Sequence, residues 1–320
     1  MDPGSRKVVV VGAGAVGTAY IYALLPGGLA KQIVLVDIDE KRAEGEVMDL
    51  SHGLPFIPPV SIVTGDYSEC AGADLIVVTA GAKQAPGQSR TELIQKNAQI
   101  VRSVCSEIKK TDCSGVLVMV TNPVDALTYV AQQTLEWPRE RVIGSGTVLD
   151  SARFKYLLSR HCKIDARNVH AYILGEHGDS EVPAWSMTHI AGVPLREYCR
   201  ICQVCDYEQH HLEIAEKVRN SAYHIIDYKG STYYGIGLSL VRISNAILRD
   251  EHSILTVSSL MHGEYGIEDL CLSVPCIVGA GGIHKVIDAE LSDDELGKLR
   301  ASADAIREVV DQIRDSDQDG

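Results

Sequence analysis

The sequence lacks several features that would assign it to a particular class of protein. It has no run of about 18 or more apolar residues, which is the length that a membrane-spanning helix needs. Its first residues, M-D-P-G-S-R-K, lead directly into a strand-like run, so no signal peptide is expected. Basic residues are in deficit, with 30 Lys and Arg against 43 Asp and Glu and a net charge of -13. This balance argues against binding to nucleic acid or to an anionic membrane, and an anionic substrate would need a local basic site.

An even set of cysteines is also lacking, because the chain has nine. Without a secretory signal, reduced thiols in a cytoplasmic protein are expected. Cys199, Cys202 and Cys205 repeat every three residues, and two histidines follow them. An iron–sulfur cluster motif would need a fourth cysteine at position 209, which is Gln209. A closed zinc site would need a second pair of ligands, and none accompanies the cluster. We therefore expect no metal and interpret the cluster as a helix that carries thiols.

A glycine-rich segment, G-A-G-A-V-G at residues 12–17, follows a β-branched apolar strand at 7–11. A helix predicted over 18–25 and a strand over 33–36 come next, and Asp37 ends that strand. The glycines allow a pyrophosphate to approach a helix N-terminus, and the acid can accept the ribose hydroxyls. The pattern predicts a dinucleotide site that prefers NAD over NADP, because Asp37 disfavours a 2′-phosphate. Arg42 weakens that preference slightly, since it could lie near the adenosine ribose.

Helices and strands continue to alternate up to residue 146. Helices are predicted over 40–50 and 93–109, and strands over 61–63, 74–79 and 116–120. This alternation predicts a doubly wound parallel sheet, in which ligands bind beyond the carboxyl ends of the strands. The residues expected at or beside those ends are Gly12, Asp37, Tyr67, Gly81, Ala82, Val120, Thr121, Asn122 and Ser145.

A polar loop, A-G-A-K-Q-A-P-G-Q-S-R, ends at Arg90. Gly81 and Gly87 are its flexible points and Pro86 stiffens the middle, which is the composition of a loop that closes over a site. A plain surface loop with a solvated arginine is the alternative.

His177 lies between two glycines in A-Y-I-L-G-E-H-G-D-S-E-V-P, at residues 171–183. Glycines let the backbone bend sharply beside a ligand, and an imidazole titrates near neutral pH. A solvated loop histidine is the alternative.

Asp150 and Arg153 are three residues apart, on one face of a helix. They form either a surface ion pair, or a carboxylate that orients an imidazole beside a guanidinium that grips a substrate carboxylate.

The second half of the chain has a different character. A helix predicted over 154–159, strand-like runs at 169–174 and 271–277, and long helices over 207–228 and 237–248 indicate an α+β arrangement with an antiparallel portion. We expect a dinucleotide-binding domain over 1–146 and a substrate domain over 147–314. Ser292 and Glu295 predict a capping box for the last helix, and the tail at 315–320 is expected to be disordered.

Several segments together resemble one family. They are V-G-A-G-A-V-G, I-V-L-V-D, M-D-L-S-H-G, P-G-Q-S-R, V-T-N-P-V-D, G-S-G-T-V-L-D-S-A-R and G-E-H-G-D-S. In order and spacing they are similar to the lactate/malate dehydrogenase superfamily, and most similar to its bacterial L-lactate dehydrogenases, over residues 7 to 313. The resemblance implies an N-terminal Rossmann domain, a C-terminal α+β substrate domain and NAD-dependent reduction of a 2-keto acid to a 2-hydroxy acid.

The resemblance also implies roles for individual residues. His177 would donate the proton, Asp150 would hold its tautomer, and Arg90 would polarise the substrate carbonyl. The substrate contacts that it implies are Gln84, Arg90, Asn122, Asp125, Arg153 and Thr232. The cofactor contacts expected from motif and resemblance together are Gly12, Gly14, Val16, Gly17, Asp37, Arg42, Tyr67, Gly81, Ala82, Ser103, Val120, Thr121, Asn122 and Ser145. The Asn122-Pro123 bond resembles the family's cis peptide.

Substrate choice in this family is read at the position of Gln84. Malate dehydrogenases carry an arginine there, and a neutral side chain would leave the second carboxylate of oxaloacetate unpaired. Gln84 therefore favours pyruvate. At the position of Gln88, lactate dehydrogenases usually carry an acid that repels dicarboxylates, so the neutral Gln88 predicts weaker discrimination against oxaloacetate. A malate or broader 2-hydroxyacid dehydrogenase is the alternative. The second alternative is a non-catalytic NAD-binding protein, which would have lost the proton donor, its orienting carboxylate or the substrate anchor. His177, Asp150, Arg90 and Arg153 are all present, so this alternative is disfavoured.

The resemblance further implies regulation and assembly. Bacterial relatives bind fructose 1,6-bisphosphate through an arginine and a histidine, and the matching positions are Lys155 and His170. Lysine keeps the charge but loses the planar fork. A homotetramer is implied by the resemblance alone.

Overall fold

The structure is a computed structural model that describes residues 6–83, 87–202 and 207–318. Its strands are β1 (Lys7–Val11), β2 (Gln32–Val36), β3 (Ser61–Thr64), β4 (Leu75–Val78), β5 (Val116–Met119), β6 (Val142–Gly144), β7 (Val169–His170), β8 (Ile173–Leu174), β9 (Val182–Pro183), β10 (His189–Ile190), β11 (Val193–Pro194), β12 (Ser253–His262), β13 (Glu268–Gly279) and β14 (Gly282–Val286). Its helices are α1 (Ala15–Leu24), α2 (Glu40–His52), α3 (Arg90–Lys109), α4 (Val124–Leu135), α5 (Val148–Cys162), α6 (Leu195–Cys202), α7 (Tyr207–Lys229), α8 (Tyr234–Leu248) and α9 (Asp293–Gln318).

A nine-stranded sheet runs through the molecule in the order β14-β13-β12-β6-β5-β4-β1-β2-β3. Strands β1 to β6 are parallel, and their order is that of the doubly wound dinucleotide fold. Strands β12 to β14 are antiparallel, and β12 joins β6 where Ser258 pairs with Gly144. The predicted fold class, with its antiparallel second part, is confirmed. The sheet is nevertheless continuous from one part to the other.

The strands near the middle of the sheet are buried on both faces, which explains their unbroken apolar sequences. Every residue of β4 and β5 is buried, as are Val8 to Val11 of β1. Helices of a doubly wound fold cover both faces of such strands. Helix α1 packs against α8, and the hydroxyls of Tyr20 and Ser244 are 2.7 Å apart between them. This buried contact joins the glycine-rich segment to the second half of the chain.

Helix α5 starts earlier than the sequence predicts, at Val148 instead of residue 154. Two hydroxyls hold its first turn against β8. Thr147 Oγ1 donates to the Ile173 carbonyl at 2.5 Å, and Ser151 Oγ accepts from the Ile173 N–H at 2.9 Å. These partners are remote in sequence, so apolar periodicity alone could not locate the helix start. Asp150 consequently lies in the first turn, close to the segment that follows β8.

The last helix bears out its predicted N-terminus. Glu295 N–H donates to Ser292 Oγ at 3.3 Å and Ser292 N–H to Glu295 Oε2 at 3.0 Å, which is a capping box. The helix continues to Gln318. Residues 315–318 therefore differ from the predicted disorder, because the helix simply propagates by adding backbone hydrogen bonds. Residues 319–320 lie outside the described residues.

The cysteine cluster falls partly on α6, where Cys199 is buried and Cys202 Sγ donates to the Cys199 carbonyl at 3.7 Å. Cys205 lies outside the described residues. Among the helices that the structure describes, none combines the length and the apolar character that a membrane crossing requires.

Candidate active site

The glycine-rich turn lies at the carboxyl end of β1. Gly12 has φ +114°, and a Cβ there would lie 2.7 Å from Thr79 Oγ1. A Cβ on Gly17 would lie 2.1 Å from the Gly12 carbonyl oxygen, so neither position tolerates a side chain. Gly14, in contrast, has open space around it and caps α1, whose first turn carries no acidic residue. The N-terminus of α1 is therefore an open site for an anion such as a pyrophosphate.

Asp37 follows β2 and lies against this turn. Its Oδ2 accepts from the Ala13 N–H at 2.6 Å, and its Oδ1 accepts from the Asp39 N–H at 2.9 Å. Each carboxylate oxygen keeps further lone pairs for hydroxyl donors. The glycine turn and the acid predicted from spacing are thus in contact in the structure, and their arrangement fits a dinucleotide.

A buried amide that the sequence analysis did not identify supports the next two strand ends. Asn97 on α3 accepts from the Ala82 N–H at 2.8 Å and donates to the Asn122 carbonyl at 3.1 Å. A Cβ on Gly81 would lie 2.5 Å from Thr121 Cγ2, so these two strand ends are tightly packed. The Asn122-Pro123 peptide is cis, as the resemblance implies.

Two cavities of about 260 Å³ each adjoin one another at these strand ends. The first is lined by five of the predicted substrate or catalytic residues, Arg90, Asn122, Asp150, Arg153 and His177. The second is lined by Val16, Val120, Ser145 and Thr232, and it shares Asn122, Arg153 and His177 with the first. Among the described residues, Arg42, Tyr67 and Ser103 line neither cavity; Arg42 and Ser103 are exposed on α2 and α3, and Tyr67 is partly buried after β3.

Asp150 connects the two cationic side chains of the first cavity. Its side chain is 3% exposed, and Oδ2 lies 2.5 Å from His177 Nδ1. Oδ1 accepts from Arg153 Nη1, also at 2.5 Å. Because a carboxylate only accepts hydrogen bonds, His177 Nδ1 carries hydrogen, and Nε2 remains to exchange a proton with a ligand. Of the two arrangements open on sequence grounds, the structure has the orienting carboxylate.

The loop that carries His177 is held by side chains from remote parts of the chain. Asp125 Oδ2 accepts from the His177 N–H at 2.8 Å, and Ser302 Oγ on α9 accepts from the Glu176 N–H at 2.8 Å. Ser273 Oγ of β13 donates to Asp125 Oδ1 at 3.0 Å. Asp125 is 2% exposed and lines neither cavity in the described part of the chain. Its position differs from the predicted substrate contact, because it lies beneath the loop rather than in the cavity.

The charges around Asp150 and His177 favour a protonated imidazole. Burial alone would lower the pKa of His177, but the charge and the hydrogen bond of Asp150 outweigh burial and raise that pKa. Burial likewise opposes ionisation of Asp150, yet His177 and Arg153 hold its pKa below the usual value. A proton donor and its stabilising anion are therefore both in place near neutral pH.

Glu181 is a further carboxyl of the first cavity that the sequence analysis did not single out. It is 5% exposed, and among the described residues its Oε1 has no hydrogen-bond partner. Burial, followed by the negative charge of Asp150, raises the pKa of Glu181. The sequence gives no sign of this buried carboxyl, because Glu181 stands four residues after His177 without a motif of its own. Its burial becomes visible only in the folded structure.

We expect Glu181→Gln to change the pH dependence of turnover. At low pH the protonated Glu181 of the wild type and the glutamine of the variant are both neutral, so kcat/KM for an anionic substrate should be the same in the two proteins. At alkaline pH the wild-type carboxyl ionises and repels the substrate, and the variant should retain up to about tenfold more kcat/KM. The measurement is kcat/KM across neutral and alkaline pH. Superimposable profiles would show that Glu181 does not ionise in the working range.

The remaining predicted residues are less close together. Lys155 lines a separate cavity of about 450 Å³ with Arg242, and burial lowers the pKa of Lys155. His170 is exposed on β7 and is not part of that lining within the described residues. Gln84 lies outside the described residues, and Gln88 is partly buried.

Sequence comparison places both halves of the chain in one family. Residues 6–144 match the profile of the lactate/malate dehydrogenase NAD binding domain, and residues 147–316 match that of the alpha/beta C-terminal domain. The chain belongs to the lactate/malate dehydrogenase family. Its N-terminal half, with the glycine turn and Asp37, is accordingly the NAD-binding part of a lactate/malate dehydrogenase family member.

Relatives within the lactate/malate dehydrogenase family are similar over almost their whole length. The L-lactate dehydrogenase of Treponema denticola is 53% identical over 98% of this chain and 100% of its own. That of Acetivibrio thermocellus is 52% identical over 95% and 96%. The crystal structure of the minor L-lactate dehydrogenase from Enterococcus mundtii in its ligands-bound form is 43% identical, with a TM-score of 0.94 over 97% of this chain and 99% of that one.

Proposed function

We propose that this protein is an NAD-dependent L-lactate dehydrogenase that reduces pyruvate reversibly to L-lactate. The observation that carries the proposal is the convergence of Asp150, Arg153 and His177 on a cavity that adjoins the dinucleotide end of the sheet. Reduction of a 2-keto acid needs a proton donor, an anchor for a carboxylate and a donor to the carbonyl oxygen. His177, Arg153 and Arg90 supply these in one place. The relatives named above support the choice of reaction.

The protein residues divide the chemistry among them. When NADH is bound it supplies the hydride for the carbonyl carbon. His177 Nε2 gives its proton to the carbonyl oxygen, while Asp150 fixes the imidazole and stabilises its cation. Arg153 holds the substrate carboxylate with the N–H groups that Asp150 leaves available. Arg90, at the start of α3, stabilises the negative charge that develops on the oxygen.

The other predicted residues hold the two ligands. The α1 N-terminus and Gly12 to Gly17 receive the pyrophosphate, and Asp37 receives the adenosine ribose. Val16, Ser145 and Thr232 lie in the cavity next to His177, where a nicotinamide and a substrate would meet. Asp125 acts through its hydrogen bond to the His177 backbone.

The proposal is tested by NADH oxidation with pyruvate, oxaloacetate and a branched 2-keto acid side by side. Pyruvate should have the highest kcat/KM, because a neutral Gln84 leaves a second carboxylate unpaired. Gln88, which is also neutral, should permit measurable turnover of the other two substrates. Equal turnover of pyruvate and oxaloacetate would favour the malate or broader 2-hydroxyacid dehydrogenase instead.

Gln84→Arg is expected to shift the preference from pyruvate towards oxaloacetate. A guanidinium would pair the second carboxylate, and pairing an otherwise unpaired buried ion is worth about 3 kcal/mol, which corresponds to about 100-fold in the ratio of kcat/KM values. The measurement is that ratio in the variant and the wild type. Gln88→Arg is the matched control, because it adds the same charge four residues away. An unchanged ratio in Gln84→Arg would contradict the role given to this loop.

We also propose a cytoplasmic homotetramer that fructose 1,6-bisphosphate activates through Lys155 and His170. The resemblance to bacterial relatives supports the assembly and the effector, and the basic cavity beside Lys155 offers room for an anion. Cys70, Cys105, Cys113, Cys271 and Cys276 are free thiols, in keeping with a reducing compartment. An absence of any change in apparent KM for pyruvate on titration with the sugar bisphosphate would contradict the effector site.

A further inference from the structure

Three side chains with metal-binding atoms converge at the end of the sheet formed by β12 to β14. They are Asp250 and His252, in the connection between α8 and β12, and His284 on β14. We call them the Asp–His–His cluster. It plays no part in the proposed reaction, and none of its residues lines any of the three cavities described above.

The donor atoms of the cluster already lie near metal-binding distances from one another. Asp250 Oδ1 is 3.1 Å from His252 Nε2 and 3.8 Å from His284 Nε2, and all three donor atoms lie within 4.8 Å. Tetrahedral zinc with bonds of about 2.0 Å to nitrogen and oxygen separates its ligand atoms by roughly 3.3 Å. The two imidazole rings are stacked, with centroids 4.4 Å apart and planes at 28° to each other, so side-chain rotations that unstack them would bring the three donor atoms around one ion.

The backbone beneath the cluster leaves room for this convergence. A Cβ on Gly279 would lie 2.7 Å from both Asp250 Oδ1 and His284 Nε2, so glycine is required for these atoms to meet here. The Ala280 N–H donates to Asp250 Oδ1 at 2.7 Å and fixes the carboxylate. Outer hydrogen bonds of this kind orient metal ligands in proteins.

The connection that carries two of the ligands has an unusual conformation. Asp250 and His252 have φ values of +53° and +50°, in the left-handed region that non-glycine residues rarely adopt. Both side chains are about half exposed, and that of His284 is 38% exposed. The strained connection thus turns two donors towards a third on another strand while leaving one side open to water.

We propose that the Asp–His–His cluster binds one divalent transition-metal ion of the zinc, cobalt and nickel type. Two imidazoles and one carboxylate are the ligand set that such ions prefer, whereas Mg²⁺ and Ca²⁺ prefer oxygen ligands alone. Water completes the coordination on the exposed side. The bound ion links the α8–β12 connection to β14, so it stabilises this end of the sheet without entering the reaction.

The test is titration of the full-length chain, free of any affinity tag and stripped with a chelator, with Zn²⁺ and Co²⁺ by calorimetry. We expect one ion per chain, no binding of Mg²⁺, and an increase in the unfolding temperature with Zn²⁺. Each of His252→Gln and His284→Gln should weaken binding by roughly 100-fold, because each removes a ligand. His262→Gln, which alters an exposed histidine on β12 outside the cluster, should bind as the wild type does.

The Co²⁺ spectrum separates this site from binding at thiols. Imidazole and carboxylate ligands give visible bands alone, whereas thiolates add an intense near-ultraviolet charge-transfer band. A thiolate band, or equal affinity in the wild type and both glutamine variants, would overturn the proposal. Asp250→Asn keeps the acceptor for the Ala280 N–H, so it tests the carboxylate even if another variant folds poorly. Undiminished affinity in Asp250→Asn would also count against the cluster.

Discussion

His177→Gln is expected to lower kcat for pyruvate reduction by about 1,000-fold, because glutamine cannot donate the proton that the carbonyl oxygen requires. Its amide can still accept or donate one hydrogen bond in the cavity, so KM should change much less than kcat. The loop itself should keep its position, since Asp125 binds the backbone N–H of residue 177 rather than its side chain. The measurement is steady-state kinetics with pyruvate and NADH.

NADH affinity provides the internal control for this variant. In the proposed arrangement the glycine turn and Asp37 hold the far end of the cofactor, so the dissociation constant of NADH should stay near that of the wild type. His262→Gln, a change of the same size at an exposed position, should leave kcat unaltered. If His177→Gln retained most of its kcat, the proton would have to come from another group, and the role of the Asp150–His177 pair would be wrong.

Arg153→Gln is expected to reduce kcat/KM for pyruvate by about 1,000-fold. The variant removes the cation that pairs with the substrate carboxylate, and loss of one partner of a buried, hydrogen-bonded charge pair costs several kcal/mol. The guanidinium of Arg153 is one of the two cationic groups that contact Asp150 on α5, and the Arg153 side chain is only 15% exposed. Its loss should raise KM as well as lower kcat, since the substrate carboxylate is held in both the ground state and the transition state. Kinetics over a wide range of pyruvate concentrations will separate the two effects.

Arg153→Lys is the matched variant for this prediction. Lysine keeps the positive charge but cannot make two parallel bonds to a carboxylate, so its activity should fall between those of wild type and Arg153→Gln. The unfolding temperature of both variants should be measured, because Arg153 also bonds Asp150. Wild-type kcat/KM in the glutamine variant would show that the substrate carboxylate is anchored elsewhere.

The parts of the site that the sequence predicted are those defined by neighbouring residues. The glycine turn and Asp37 form a local pattern, because a strand, a turn, a helix and a strand are consecutive in the chain. The pairing of Asp150 with Arg153 also follows from helical spacing. Family resemblance then connected Asp150 with His177, which spacing alone left open.

The parts that the sequence did not reveal depend on contacts between distant residues. Asn97 bonds groups 15 and 25 residues away, and Ser302 bonds the N–H of Glu176 across 126 residues. Asparagine and serine are common in any chain, so nothing in their local sequence distinguishes these two. The same holds for Asp125, which lies beneath the His177 loop, and for the early start of α5, which depends on the Ile173 backbone.

The bond between Ser302 and Glu176 has a consequence for the order of events during synthesis. The ribosome delivers the chain from its N-terminus, so the NAD-binding half can fold while later residues are still inside the exit tunnel. The histidine loop, however, receives one of its fixing contacts from α9, at the far end of the chain. The His177 loop of a nascent chain therefore lacks the Ser302 contact until the final helix has emerged and docked.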